Sequence, residues 1–178
     1  MRENLEGTLV TLVADRVISV EIDPIEKKPF FHFLPGTLAY SIATVGCNFH
    51  CLFCQNYVIS QWPRERPGPL PGDAIAPEEI VAAARAAGCR SIAYTYTEPT
   101  IFFELALETG RLAAAAGIRN LFVTNGYMTR EALALVAPIL HGANVDLKSF
   151  SDRYYRKVCG ATLAPVLETI RAMRQLGI

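Results

Sequence analysis

Three cysteines, Cys47, Cys51 and Cys54, fall within the stretch GCNFHCLFCQN with the spacing C-x3-C-x2-C. Thiolates this dense in a reducing compartment point to metal rather than to a disulfide framework. Two metals fit the donors. A [4Fe–4S] cube has four irons, so three thiolates leave one iron open to a small molecule. A structural zinc would need a fourth donor, and His50 or His32 would be the candidate. Structural zinc sites usually draw their ligands from two short runs, and no second run exists here, which favours the cluster. The other two cysteines, Cys89 and Cys159, lack the spacing to join and read as buried, structural residues.

More reactive residues stand at the ends of apolar runs. Glu98 closes SIAYTYTE and is followed by Pro99, which holds the chain extended and starts a helix. Thr124, Asn125 and Gly126 close IRNLFVTNG, and Asp146 and Lys148 close ANVDLK. Two charges at the end of an apolar strand are costly unless paired, which favours a functional reading of Asp146 and Lys148.

The elements around them set their positions. Residues 8–22, TLVTLVADRVISVEI, are expected to form a strand pair or hairpin, followed by the proline-punctuated DPIEKKPFFHFLPG. LAYSIATVG is expected to be a buried strand leading into the cysteines, and QWPRERPGPLPGD a surface loop. PEEIVAAARAAG, with Pro77 in a first helical position and Gly88 as its stop, reads as a helix. Strand and helix then alternate: SIAYTYT, PTIFFELALETGRLAAAAG, IRNLFVTNG, TREALALVAPIL with Thr129 as N-cap, ANVDLK, and the helical SDRYYRKVCG and LAPVLETIRAMRQLG. That order predicts an α/β fold with a parallel sheet, open or curled into part of a barrel. Ligands of such sheets sit at the carboxyl ends of the strands, where all the residues above gather. The chain stops at Ile178, where a further strand is expected, so it reads as a fragment. Two segments are expected: a β extension and lead-in over 1–37, and a partial (β/α) barrel over 38–178.

The 178 residues, 51% hydrophobic and 19% charged, suit one compact domain. Acids and bases balance at 17 each, which argues against a broad electrostatic grip on nucleic acid, and Arg64 and Arg66 make too small a basic patch. No apolar run approaches a membrane span, and MRENLEGTLV lacks signal-peptide grammar, so a cytoplasmic location is expected.

CNFHCLFCQN resembles the signature of radical S-adenosylmethionine (SAM) enzymes, with Phe53 in the aromatic position before the last cysteine. DPIEKKPFFHFLPG, ISQ, YTYTEPT, VTNGY and NVDLKS extend the resemblance to the radical SAM component of the AMMECR1–Memo–radical SAM system, which is pyruvate formate-lyase activating enzyme-like. The resemblance implies a [4Fe–4S] cluster on Cys47, Cys51 and Cys54, and SAM bound by its amino and carboxylate groups to the open iron. It places Phe53 near the adenine. The family's Gly-Gly-Glu, which holds the SAM amino group, corresponds to Thr97-Glu98 with both glycines absent. Thr124 and Asn125 would lie by the ribose and methionine, with Val123 where activating enzymes carry a cation-binding Asp. Lys148 would pair with the SAM carboxylate, and Asp146 would hold Lys148 or a ribose hydroxyl.

The implied activity is reductive cleavage of SAM to a 5′-deoxyadenosyl radical that abstracts hydrogen. An electron donor such as flavodoxin or ferredoxin is implied, with a glycyl radical enzyme as one target. The alternatives are a small molecule, peptide or nucleic acid modified together with AMMECR1- and Memo-type partners, or a non-catalytic zinc or cluster module.

Overall fold

The computed structural model describes residues 1–62 and 68–178. Arg64 and Arg66, and residues 63–67 of the expected QWPRERPGPLPGD loop, therefore fall outside the described residues, while 68–72 form bends and irregular chain as expected.

A short hairpin comes first, from β1 (Arg2–Leu5) and β2 (Thr8–Thr11), which pair antiparallel. The second half of the expected 8–22 hairpin goes elsewhere. β3 (Arg16–Pro24) pairs antiparallel with β4 (Leu38–Thr44), so Thr8–Thr11 has Arg2–Leu5 as its partner instead. β3 also pairs with the two-residue β5 (Asp73–Ala74). The lead-in thus belongs to the same sheet as the later strands, in the order β5-β3-β4-β6-β7-β8. β6 (Ser91–Tyr94), β7 (Arg119–Thr124) and β8 (Gly142–Val145) run parallel to β4 and to each other. The parallel strands are those read from the sequence, and the α/β fold with a parallel sheet is the one observed.

Helices follow each parallel strand. After β4 come the cysteine loop, α1 (Tyr57–Ser60) and α2 (Pro77–Ala86). α2 starts at Pro77, and Glu79 reaches back to the Ala76 N–H at 2.8 Å, satisfying one of the orphan donors of a helix start. β6 leads to α3 (Phe103–Ala115), and β7 to α4 (Arg130–Val136). Thr129 caps α4, its hydroxyl accepting from Ala132 N. After β8, α5 (Asp152–Tyr154) widens into a π turn over Tyr155–Cys159, and α6 (Leu163–Gln175) ends the chain.

The strands bury both faces, as parallel strands do. Tyr40, Ile42, Ile92, Tyr94 and Phe122 point into the larger core beneath α2 and α3, where Ile80, Ala84, Leu105, Ala106 and Ala113 meet them. Burying a side chain such as Phe122, 1% exposed, is worth about 1.5–3 kcal/mol. One polar group lies in this core with every atom bonded: Asn120 donates to Gly110 O and Ile139 O and accepts from Tyr94 Oη. Gly110 lets α3 come this close, because a Cβ there would stand 2.6 Å from Ile139 Cδ1.

The opposite face alternates in register with the first and carries the small Ala39, Ser41, Ser91 and Ala93 beside Leu121 and Val123. The lead-in fills the space these small residues leave: Ile25 and Phe30 pack on Ala39, Ala93 and Leu121, with Phe33 and Leu34 beside them. DPIEKKPFFHFLPG is therefore the cover of the second face rather than a surface connection.

Candidate active site

The carboxyl ends of β4, β6, β7 and β8 surround one cavity of about 580 Å³. Cys47, Cys51, Cys54, Phe53, Thr97, Thr124, Asn125, Asp146 and Lys148 line it, drawn from loops up to a hundred residues apart in sequence. A second hollow of about 580 Å³ lies outside, between α2 and α3, but its wall of Val81, Ala82, Leu112 and Ala116 offers only Glu78 and Arg85 as reactive groups. The chemistry belongs to the first.

The cysteine loop is pinned on several sides. Gly46, at φ +100°, turns the chain out of β4, and a Cβ there would strike the Met1 side chain. His50 N and Leu52 N donate to Cys159 O and Val158 O at 3.0 and 2.9 Å, so the loop is laced to the π turn. Hydrogen bonds also reach the sulfurs. Phe49 N donates to Cys47 Sγ at 3.4 Å, Asn125 Nδ2 lies 3.8 Å from the same atom, and Cys54 Sγ shares a bond with Ser60 Oγ at 3.3 Å. Donors of this kind stabilise thiolate ligands and tune a cluster. Burial pushes the Cys47 and Cys51 thiols up to about 12, so a cation is needed to hold them as thiolates.

The donor geometry bears on the metal. Structural zinc asks its four donors to converge on one point at about 2.0–2.3 Å. His50 and His32 are exposed, and the His50 ring rests against Gly160 instead. A cube takes one thiol at each of three separate irons and so asks for three sulfurs on a shared wall rather than at a shared point. Cys47, Cys51 and Cys54 all line the cavity, so the donor set fits a cube held there.

Two asparagines tie this loop to the end of β7. Asn125 Nδ2 donates to Asn48 Oδ1 at 2.7 Å, and Asn48 Nδ2 donates to Tyr127 O at 3.0 Å. Behind them lies Glu98, fully buried. Its Oε1 accepts from Thr100 N, Thr100 Oγ1 and Thr124 Oγ1, and its Oε2 from Asn125 N at 2.8 Å. Burial raises its carboxyl above the usual range, and these donors pull it back. Glu98, expected to meet the SAM amino group, is not itself among the residues that line the cavity. Its oxygens are taken by the chain, and it stands behind the cavity wall, joining the ends of β6 and β7.

Lys148 and Asp146 meet as anticipated, Nζ to Oδ2 at 2.7 Å, and Tyr155 Oη holds the Lys148 amide at 3.0 Å. Burial alone would lower the Lys148 ammonium, but Asp146 and the nearby Cys51 and Cys47 raise it, so it remains a cation beside the cysteines. Phe53 is half-exposed at the mouth, 6.1 Å from the Tyr154 ring. Val123 also lines the cavity and offers no cation ligand. Cys89 and Cys159 are buried as expected, but Cys159 comes into side-chain contact with Cys51, which its distance in sequence did not suggest.

Residues that sequence reasoning missed form another part of the wall. Lys27, Lys28 and Tyr96 line the cavity, with Asp23 behind them. Tyr96 occupies φ +63°, a left-handed conformation costing a bulky residue about 1–2 kcal/mol. It directly precedes Thr97-Glu98 in the chain. The DPIEKKP motif was the available signal, yet nothing in its composition says that it crosses the sheet.

The class follows from comparison. Residues 41–178 match the Radical SAM superfamily, and the chain belongs to it. It is 46% identical over 177 residues to an uncharacterized protein of Methanocaldococcus jannaschii, covering 99% of this chain and 51% of that protein. It is 31% identical over 140 residues to the GTP 3′,8-cyclase of Pseudomonas putida, covering 75% of this chain and 40% of the cyclase. The chain thus spans about half the length, or less, of these curated relatives. Among solved structures, SuiB of Streptococcus suis bound to S-adenosylmethionine superposes with a TM-score of 0.56 at 14% identity, over 77% of this chain and 29% of that one. TYW1 with a lysine–pyruvate adduct bound superposes with a TM-score of 0.51 at 16% identity, over 86% and 59%. Both likenesses speak to the fold. The superfamily uses a [4Fe–4S] cluster and SAM as cofactors. Among the described residues no helix is long and apolar enough to cross a membrane.

Proposed function

We propose that this chain carries the cluster- and SAM-binding site of a hydrogen-abstracting enzyme, with Cys47, Cys51 and Cys54 as the cluster ligands. The single observation behind this is that the three thiols and the Lys148 ammonium share one cavity wall. When bound, the cluster supplies one electron that splits SAM into methionine and a 5′-deoxyadenosyl radical able to take a hydrogen atom. The chain's own residues bind, orient and exclude water. Lys148, already paired with Asp146, takes the SAM carboxylate. Phe53 at the mouth offers an aromatic face to the adenine, and Thr97, Thr124 and Asn125 wall the methionine and ribose. Glu98 serves by fixing Thr124 and Asn125 in place.

The kinship of GCNFHCLFCQN, TNG and DLK with activating enzymes supports a glycyl radical enzyme as the target and flavodoxin or ferredoxin as the electron donor. A second reading, radical modification of a small molecule alongside AMMECR1- and Memo-type partners, is favoured by the partly enclosed 580 Å³ cavity and by the likeness to a nucleotide cyclase. Anaerobically reconstituted protein given dithionite and SAM is expected to release 5′-deoxyadenosine, and Cys51→Ala to release none. Product from the alanine variant at the wild-type rate would overturn the assignment. Deuterium transfer into 5′-deoxyadenosine from a labelled glycyl-loop peptide, or from labelled small molecules, separates the two targets.

A further inference from the structure

The Lys27–Lys28 pair is a charged part of the cavity wall that the reading above does not use. Lys28 is almost fully buried, and its Nζ donates to Asp23 Oδ2 at 2.7 Å and to Tyr96 Oη at 2.8 Å. The ammonium also lies 4.2 Å from the Tyr96 ring centroid. Lys27 Nζ donates to the other oxygen, Asp23 Oδ1, at 2.6 Å, and its side chain is 63% exposed. Two ammoniums therefore share one carboxylate, a local charge of +1 for these three side chains. Tyr96 donates its hydroxyl to Asp23 Oδ2 at 2.9 Å, which fixes the ring despite its left-handed backbone. Among the described residues no other carboxylate pairs with either ammonium. Glu21 is in electrostatic reach of both lysines but exposed, Glu26 accepts from the Gly36 amide, and Asp146 is paired with Lys148.

A buried lysine, a strained tyrosine and a second ammonium on one carboxylate have no structural need to face a cavity. Burying the same β-sheet face with apolar residues, as Ile25 and Phe30 do beside them, would be simpler. We propose that Lys27, Lys28 and Tyr96 form an anion subsite, which takes the carboxylate or phosphate of the molecule whose hydrogen is abstracted. The proposal rests on the hydrogen-abstraction reading for the identity of that molecule, but not for the binding itself. Lys27, the half of the pair nearest solvent, swings from Asp23 to meet the anion, while Lys28 and Tyr96 hold Asp23 in place. A carboxylate or phosphate is the matching chemistry because compact ammoniums bind anions as point charges. The SAM carboxylate is the rival source of the same group, and the test separates them.

Isothermal titration of the anaerobically reconstituted chain with inorganic phosphate and with acetate, then with SAM, reads the site directly. Saturable one-to-one binding of phosphate is expected, weakened about tenfold in Lys27→Gln and restored in Lys27→Arg, with SAM affinity equal in all of them. Tyr96→Phe, with its circular dichroism checked against wild type, is expected to weaken phosphate severalfold. Unsaturable phosphate binding, or the same affinity in Lys27→Gln, overturns the subsite. A Lys27→Gln variant that loses SAM affinity instead assigns these lysines to the SAM carboxylate and also overturns it. Failure of the wild type to make 5′-deoxyadenosine while Lys27-dependent phosphate binding persists would sink the enzymatic reading and leave the anion subsite standing.

Discussion

Glu98→Gln tests how the site is held together. The substitution keeps shape but trades a carboxylate oxygen for an amide NH2. Three donors converge on Oε1 and one on Oε2, so the amide nitrogen best replaces Oε2. There it faces the Asn125 N–H, and two donors meet. A lost bond to a charged acceptor costs about 1.5–3 kcal/mol, and a buried N–H left unpaired about 1–3 kcal/mol. Against this, the neutral side chain no longer bears the desolvation that raises the Glu98 carboxyl. The net loss expected is about 2–3 kcal/mol. Urea unfolding followed by circular dichroism reads it: with a slope of about 2 kcal/mol per molar, the midpoint falls by about 1–1.5 M. Iron retention falls with it, because Asn125 also touches Asn48 and Cys47. The reasoning is refuted if Glu98→Gln keeps the wild-type midpoint but loses SAM binding. That result would put the carboxylate against SAM rather than behind the wall.

Other perturbations probe neighbouring parts of the same framework. Lys148→Met is expected to weaken SAM binding about tenfold by equilibrium dialysis while the iron content stays at the wild-type level. Gly160→Ala forces a side chain into φ +68° and against the His50 ring at 2.9–3.1 Å; a loss of about 2 kcal/mol and faster bleaching of the cluster absorbance are expected. Burial alone would raise the Asp23 carboxyl, but bonds from Lys27, Lys28 and Tyr96 hold it down to about 2, against an ordinary 3.8. A carboxyl depressed in the folded state stabilises it above the ordinary value, and this is lost as pH falls from about 4 towards 2. After allowance for solvent screening, about 1–2 kcal/mol should vanish across that window, and Asp23→Asn should flatten this part of the stability profile measured by thermal melts.

Much of this protein was readable without coordinates because the signals are local. Apolar runs of strand length, Pro77 and Thr129 at helix starts, and three cysteines on one loop depend on neighbours a few residues apart. The rule that ligands meet at strand carboxyl ends then brought Thr124, Asn125, Asp146 and Lys148 to the cavity that they do line. What sequence alone left open depends on distant partners. Thr8–Thr11 chose Arg2–Leu5 over Arg16–Pro24 because β4 offered β3 a longer register. Glu98 went behind the wall because Thr124 and Asn125, 26 and 27 residues away, supplied donors for both of its oxygens. Lys28 and Tyr96, 68 residues apart, meet only because small residues on β4 and β6 let the lead-in lie across the sheet. Spacing along the chain determined which residues could hold a cluster; packing of the second sheet face decided what stands beside it.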